Sequence, residues 1–413
     1  MQHTHDVIVI GGGPSGSTAA NLVRQAGFSV LVLEREVFPR FHIGESLLPC
    51  DLEVFRRLGV DPETEGFLHK AGAEFLDERI GGHTVYTFAE GMPGSPDHAY
   101  QVERSKFDHW LLNRAEAVGC EVHQGERMLE ATPEALGVRV RTDRAEYTAR
   151  YLIDATGQDA VLGRRAKTTR QLVDFGLAAT FAHYEQLDPE IDRELCETAR
   201  GNIKVLFVDE GWHWAIPLGG GKISIGLVTR KKGIDSTWLD QYIAASPFLS
   251  RITRGAVRPR KPGLLSSFSF HNEKQHGSRW GCTGDAACFL DPVFSSGVSL
   301  GMVGATHLAD TVVLALREGR ESDPALLDAH ATHVAHGYNV FATLVHSFYH
   351  STLLHSLFFA EDPDMDLKRG LTTVLAGDLW RDDNPFQAKL MASKRRRVEL
   401  VPQLHAAVAP SPL

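Results

Sequence analysis

Residues 6–16 read Asp6-Val7-Ile8-Val9-Ile10-Gly11-Gly12-Gly13-Pro14-Ser15-Gly16. Val7 to Ile10 is an unbroken run of β-branched residues that ends on glycine, the pattern of a short buried strand over Asp6 to Ile10. Gly11, Gly13 and Gly16 stand at the spacing G-x-G-x-x-G, which alone is a weak signal. Here it precedes Ser17 to Gln25, a helical pattern closed by Gly27, and then Val30-Leu31-Val32-Leu33, a second buried strand ending at Glu34. Strand, glycine turn, helix, strand and terminal acid within about thirty residues form the context in which this spacing binds a dinucleotide. Gly11 permits the tight turn, Gly13 lets the backbone approach a pyrophosphate, and Gly16 lets helix and strand pack closely. Pro14 and Ser15 lie in the turn that leads into the helix, whose free N–H groups and positive dipole end suit phosphate. Glu34 is placed to accept hydrogen bonds from an adenosine ribose.

Outward from this unit, Tyr151 to Ile153 predicts a third strand leading into Asp154-Ala155-Thr156-Gly157. Gly137 to Thr142 and Lys222 to Val228 alternate in polarity. The first is assigned to a hairpin on the nucleotide unit and the second to an antiparallel sheet in a substrate domain. From Ala305 onward the chain reads as mostly helical, and Phe341, Leu344, Val345, Phe348 and Tyr349 fall on one 3.6-residue stripe. Pro402 to Leu413, with three prolines, reads as a loose tail. The expected fold is therefore α/β. A Rossmann-type domain spans residues 1–165 and 265–315, and residues 46–95 contribute to the substrate side. An antiparallel-sheet substrate domain spans 166–264, and a helical C-terminal region spans 316–413.

A chain of 413 residues exceeds one simple core, and 43% hydrophobic with 23% charged residues is ordinary for a globular protein. A net charge of −9 argues against nucleic acid as a partner, because phosphates need a basic face. The basic cluster Lys394 to Arg397 reads as a solvated helix end. Five cysteines, odd in number and scattered, suit buried thiols in a reducing compartment. The first strand begins within six residues, leaving no room for a signal peptide, so a cytoplasmic protein is expected. No run of eighteen apolar residues suggests a membrane span. Cys282 and Cys288 lack CxxC spacing. His346 and His350 are spaced i, i+4 without an HExxH pattern, so no metal is expected.

Two later segments separate flavin from nicotinamide chemistry. Gly284-Asp285-Ala286-Ala287, far down the chain, resembles the second FAD-contacting segment of flavoenzymes of the para-hydroxybenzoate-hydroxylase type. The resemblance implies that Asp285 meets the ribityl and pyrophosphate end of FAD, with the next helix aimed at the flavin ring. Asp154-Ala155-Thr156-Gly157 resembles another FAD-contacting turn. Gln101-Val102-Glu103-Arg104 with Phe107-Asp108 resembles a segment whose arginine lies near the isoalloxazine; a surface ion pair is the other reading of Arg104. No second strand–GxGxxG–helix unit for NAD(P)H is visible.

Three motifs narrow the resemblance to flavin-dependent halogenases of the phenol and pyrrole type. Trp212-His213-Trp214-Ala215-Ile216-Pro217 is similar to their W-x-W-x-I-P string, and implies a rigid wall beside the flavin formed by Trp212, Trp214, Ile216 and Pro217. Lys70-Ala71-Gly72-Ala73-Glu74-Phe75 resembles the segment carrying their catalytic lysine. Lys70 would receive hypohalous acid, either by hydrogen bonding it or, as a neutral amine, by forming a chloramine; desolvation favours the neutral form. Asp291-Pro292-Val293-Phe294-Ser295-Ser296-Gly297 resembles the halide-binding turn, with chloride or bromide against the amides of Ser296 and Gly297 and Gly297 also near FAD. Phe38-Pro39-Arg40-Phe41-His42-Ile43-Gly44-Glu45-Ser46 is similar to a loop near the flavin, which brings Arg40 and Ser46 to the cofactor.

Tryptophan halogenases carry a glutamate just before their Ser-Thr-Gly segment. Phe294 stands there in this chain and joins the expected wall, so the resemblance implies a phenolic or pyrrolic substrate, free or tethered to a carrier protein. It also implies FAD used as FADH2, O2 as co-substrate and a separate flavin reductase as partner. The rival readings are a flavoprotein aromatic monooxygenase, a reductase of alkenes resembling geranylgeranyl reductases, and a non-enzymatic redox-sensing flavin module.

Overall fold

The computed structural model describes residues 3–393 and 395–400. Its first strand, His5–Ile10, lies parallel between Val30–Glu34 and Glu146–Asp154, with Val7 opposite both Val30 and Tyr151. Trp280–Cys282 extends this sheet beyond Asp154, and Glu121–Gln124 extends it beyond Glu34. Both faces are covered, which is why the first strand reads as a continuous apolar run. Val7, Val9, Val32 and Ile153 pack against the helices Pro14–Gln25, Arg104–Ala117 and Ser296–Glu318. Ile8, Ile10, Leu31 and Leu33 face the hairpin Met128–Pro133 and Val138–Thr142, which pairs antiparallel with Glu146–Asp154.

The second sheet has seven strands in the order Gly263–Ser266, Ala178–Tyr184, Lys222–Thr229, Gly211–Gly219, Ile203–Val208, Gly72–Asp77 and Gly82–Thr87. All pairings are antiparallel except that of Ile203–Val208 with Gly72–Asp77. Strand Gly263–Ser266 carries this sheet two residues past position 264, where the sequence reading returned the chain to the nucleotide unit. Its pairing with Ala178–Phe181 outweighs any local signal in the sequence.

Four further helices, Asp328–His350, Leu353–Phe358, Met365–Leu375 and Pro385–Ala392, complete the helical C-terminal region. Phe341, Leu344 and Val345 are fully buried there, with Phe348 and Tyr349 packed beside them. The expected α/β class, with a Rossmann-type unit, an antiparallel sheet and C-terminal helices, is the fold observed. By length and composition one described helix, Ser296–Glu318, suffices to cross a membrane. It is a core helix, with Met302, Ala305, Leu308 and Val312 buried against the nucleotide sheet. The His346 and His350 rings stack at 4.6 Å, and no group of three metal-ligating side chains occurs among the described residues. Lys394 and the expected tail Pro402 to Leu413 lie outside the described residues.

Two glycines decide how the first helix meets the sheet. Gly11 has φ +101°, and a Cβ there would lie 2.3 Å from the Ala155 carbonyl oxygen; one on Gly16 would lie 1.9 Å from the Gly11 oxygen. Both obstacles are backbone and cannot swing aside. Gly16→Ala is therefore expected to cost about 1–3 kcal/mol or more and to lower FAD retention with it. A chemical-denaturation midpoint equal to wild type would contradict this packing.

Candidate active site

A continuous cleft of ≈ 450 Å³ runs between the two sheets. At one end stands Glu34, the last residue of its strand, buried and lining the cleft. Its carboxylate accepts from the Gly12 N–H (2.6 Å) and the Glu36 N–H (2.9 Å). Gly13, Pro14 and Ser15 come next, with the free amides of the first helical turn. A Cβ on Gly13 would meet nothing nearer than the Arg40 Nη2 at 3.7 Å. Gly16 instead packs beneath, against the strand.

The middle of the cleft is held by a buried ionic knot. Arg104 donates to Asp108 through Nε (2.6 Å) and Nη2 (2.9 Å), and through Nη1 to the Ile43 carbonyl (2.6 Å). Arg40 donates to the same Asp108 (2.9 Å). Burial alone would push Asp108 up, but the arginines outweigh it and its carboxyl lies below its ordinary value. Arg104 is thus a buried cleft residue and not a surface ion-pair partner. Asp285 sits in the turn Gly284–Ala286 and accepts from the Gln158 side chain (2.9 Å). Burial pushes it up to about 6, against the pull of that hydrogen bond and of Arg104. The buried Ser46 hydroxyl lines the cleft and makes no hydrogen bond among the described residues.

At the far end Trp212, Trp214 and Ile216 alternate along strand Gly211–Gly219 and present one face to the cleft. The indole centroids lie 5.9 Å apart, and the Trp214 Nε1 donates to Ser224 (3.1 Å). A Cβ on Gly226 would fall 2.2 Å from the Trp214 ring, so glycine makes the room. The Trp212 Nε1 donates to the Tyr349 hydroxyl (2.9 Å), which donates to Asp291 (3.0 Å). Pro217 was expected in this wall and is not: strand alternation puts it on the opposite face with His213 and Ala215, off the cleft lining. Ser295, in the left-handed region at φ +58°, bends the chain into helix Ser296–Glu318. Its first-turn residues Gly297 and Val298 line the cleft with Ser295, while Ser296 is buried and is not part of the lining.

Lys70 lies in a separate, water-sized cavity that shares Ile203 and Ser295 with the main cleft. It is 1% exposed and donates to the Leu47 carbonyl (2.7 Å), with its ammonium 5.2 Å from the Phe88 ring centroid. Burial lowers its amine to about 7, against the opposing charge of Asp51. Phe294, expected beside the flavin, borders this cavity instead, because the turn Pro292–Phe294 rotates its ring toward Phe348. Sequence reasoning missed Asp51, Gln158, Tyr349 and the Glu45–His183 ion pair (2.6 Å). Asp108 and Glu45 stood in quoted motifs without a role, and Tyr349 was read only as part of a helix stripe.

Residues 4–337 match the family model described as FAD binding domain. The chain is 32% identical to a 1H-pyrrole-2-carbonyl-(peptidyl-carrier protein) brominase of Pseudoalteromonas luteoviolacea, over 76% of this chain and 78% of that one. It belongs to the flavin-dependent halogenase family. Halogenase armH3 of Armillaria mellea is 28% identical over 94% of this chain and 83% of its own. Among solved structures, a flavoprotein/dehydrogenase from Cytophaga hutchinsonii superposes with a TM-score of 0.84 at 28% identity, covering 93% of this chain and 96% of that one. The flavin-dependent brominase Bmp2 gives 0.80 at 27%, covering 94% and 97%.

The cleft of this halogenase-family chain fits FAD in its own right. It offers a strand-end acid, a glycine whose missing side chain leaves the helix start open, and an unpartnered buried hydroxyl. Gly13→Trp should abolish FAD binding without unfolding the apoprotein, since the indole would project into the cleft and not into the core. Wild-type flavin absorbance after gel filtration of the variant would refute the placement.

Proposed function

We propose that the protein is an FADH2-dependent halogenase that installs chloride or bromide on an electron-rich aromatic ring, phenolic or pyrrolic. The observation that carries this reading is a fully buried lysine whose amine lies near neutrality, in a cavity next to the FAD cleft but walled from it by Ile203 and Ser295. Direct oxygen transfer from flavin to substrate has no use for such a residue. A diffusible oxidised halogen needs a receiver at a distance from its source.

Bound in reduced form, FAD supplies with O2 the oxidising power that turns halide into hypohalous acid. The residues of the chain do the rest. First-turn amides of Ser296 and Gly297 hold the halide beside the cofactor through N–H groups that have no intrahelical partner. Trp212, Trp214 and Ile216 exclude water and organic substrate from that end of the cleft. Lys70 receives hypohalous acid at Nζ and orients it toward the ring, so its position sets the site of substitution. The cavity around Lys70 admits a water-sized guest only, so ring binding requires its wall at Leu375 and Phe294 to open. Two relatives are named for a pyrrolyl group on a carrier protein, which favours a tethered substrate here. Electrons come from a separate flavin reductase, since the chain carries one glycine fingerprint only.

Mass spectrometry of reactions with phenols and pyrroles, free and carrier-bound, supplied with flavin reductase and halide, should reveal halide-dependent mass gains. Products that gain oxygen equally without halide would identify a monooxygenase instead. Lys70→Ala should lower halogenated product on the order of 100-fold or more while retaining FAD. NAD(P)H without reductase should reduce the bound flavin far below the turnover rate; rapid reduction in a stopped-flow trace would overturn the need for a partner.

A further inference from the structure

The peptide unit between Leu47 and Leu48 has a titratable side chain at each end. Its carbonyl oxygen accepts from the Lys70 Nζ (2.7 Å), and its N–H points to the Asp51 Oδ2 (3.3 Å) and the Ser299 Oγ (3.1 Å). Ser299 in turn donates to the same Asp51 oxygen (2.5 Å). All three side chains are buried, and the Asp51 Oδ1 has no hydrogen-bond partner among the described residues. A peptide dipole with its oxygen on an amine and its hydrogen on a carboxyl is oriented for one charge state above all: cation at the oxygen, anion at the hydrogen.

We infer that Asp51 is a positioning residue for Lys70: it is the buried counter-ion that, through the Leu47–Leu48 peptide and the Ser299 hydroxyl, biases the lysine toward its ammonium form. This rests on the halogenase reading for its purpose but not for its chemistry. An isolated ammonium in a cavity walled by Leu48, Phe88, Val205, Phe294 and Leu375 would shed its proton. The titratable groups acting on Lys70 are Asp51 and the Cys50 thiol; burial and nearby Asp51 raise that thiol well above its ordinary value, so it is neutral and supplies no charge. Burial also raises the Asp51 carboxyl, to about 7, against the hydrogen bonds from Ser299 and the Leu48 N–H and the charge of Lys70, and Asp51 is the one group left to act as counter-ion. Asp51 thereby raises the ammonium share above what burial alone would leave, and hypohalous acid meets a hydrogen-bond donor more often than it would without the carboxylate.

The same network explains why the receiver sits where it does. Ser299 lies three residues beyond Ser296, on the helix whose first turn is the proposed halide site. Through the Leu47–Leu48 peptide, Asp51 therefore ties the end of the lysine's strand to the element proposed to hold the halide, and sets the separation of source and receiver.

The test reads the amine directly. Protein labelled with 13C at lysine Cε and loaded with FAD is titrated by NMR, the Lys70 signal being assigned by its loss in Lys70→Met. Asp51→Asn should lower the Lys70 midpoint by about one pH unit or more, and Asp51→Glu should restore part of the shift. Ser299→Ala, which weakens the carboxylate without removing it, should move the midpoint the same way by less. It decides the matter alone if Asp51→Asn fails to retain FAD. An unchanged midpoint overturns the assignment. Because the titration needs neither substrate nor halide, a protein that makes no halogenated product would defeat the functional reading and leave this result standing.

Discussion

The Gly11 carbonyl oxygen sits where a side chain on residue 16 would have to begin. That one close approach presses helix Pro14–Gln25 onto the strand that precedes it, and much else follows. The helix start is held at the mouth of the sheet, in line with Glu34 on the neighbouring strand. Its outer side is then free to receive helix Ser296–Glu318, whose residues Met302, Ala305 and Leu308 share one core with Ala19, Ala20 and Val23. The N-terminus of that second helix reaches the far end of the cleft because the two helices are packed side by side. A methyl group at residue 16 would thus disturb both ends of the site.

Charge is distributed along the cleft with some economy. Asp108 serves two arginines, so the Arg104 and Arg40 side chains stay ordered around a shared anion that burial alone would have neutralised. Half-buried Asp285 and buried Asp291, each pushed up to about 6, have no such cationic partner in direct contact among the described residues and are held by neutral donors. The cationic knot lies in the middle of the cleft and the neutral, aromatic wall at its end. The site grades from one suited to phosphate and ribityl oxygens to one suited to a planar ring.

The sequence made the nucleotide unit legible because its signals are local. A β-branched run, three glycines and an acid lie within a few tens of residues, and each has a single physical reason to be there. The cleft wall was legible to the extent that alternation was respected: Trp212, Trp214 and Ile216 share a face, and Pro217 was carried along by motif when its parity sends it the other way. Phe294 failed for a related reason, since a single turn of 3₁₀ helix decides which cavity the ring faces and no pattern encodes that. Asp51 was illegible altogether. An aspartate opening a helix is ordinarily a solvated first-turn acid favoured by the dipole, and only the fold reveals that Lys70 and Ser299, far away in sequence, close over it.

Lys70 and Arg104 are carried by one piece of backbone. Strand Leu68–Lys70 pairs residue by residue with Ala99–Gln101, and the Arg104 helix begins three residues after Gln101. Gln101 is pinned besides, through a bridge to Ser46 and a hydrogen bond to the Gly201 carbonyl (2.9 Å). The lysine and the arginine therefore form a caliper of fixed opening. The span between the cleft-lining arginine and the lysine is written into a short ribbon of paired strands, and any movement that admits a substrate must happen around that span.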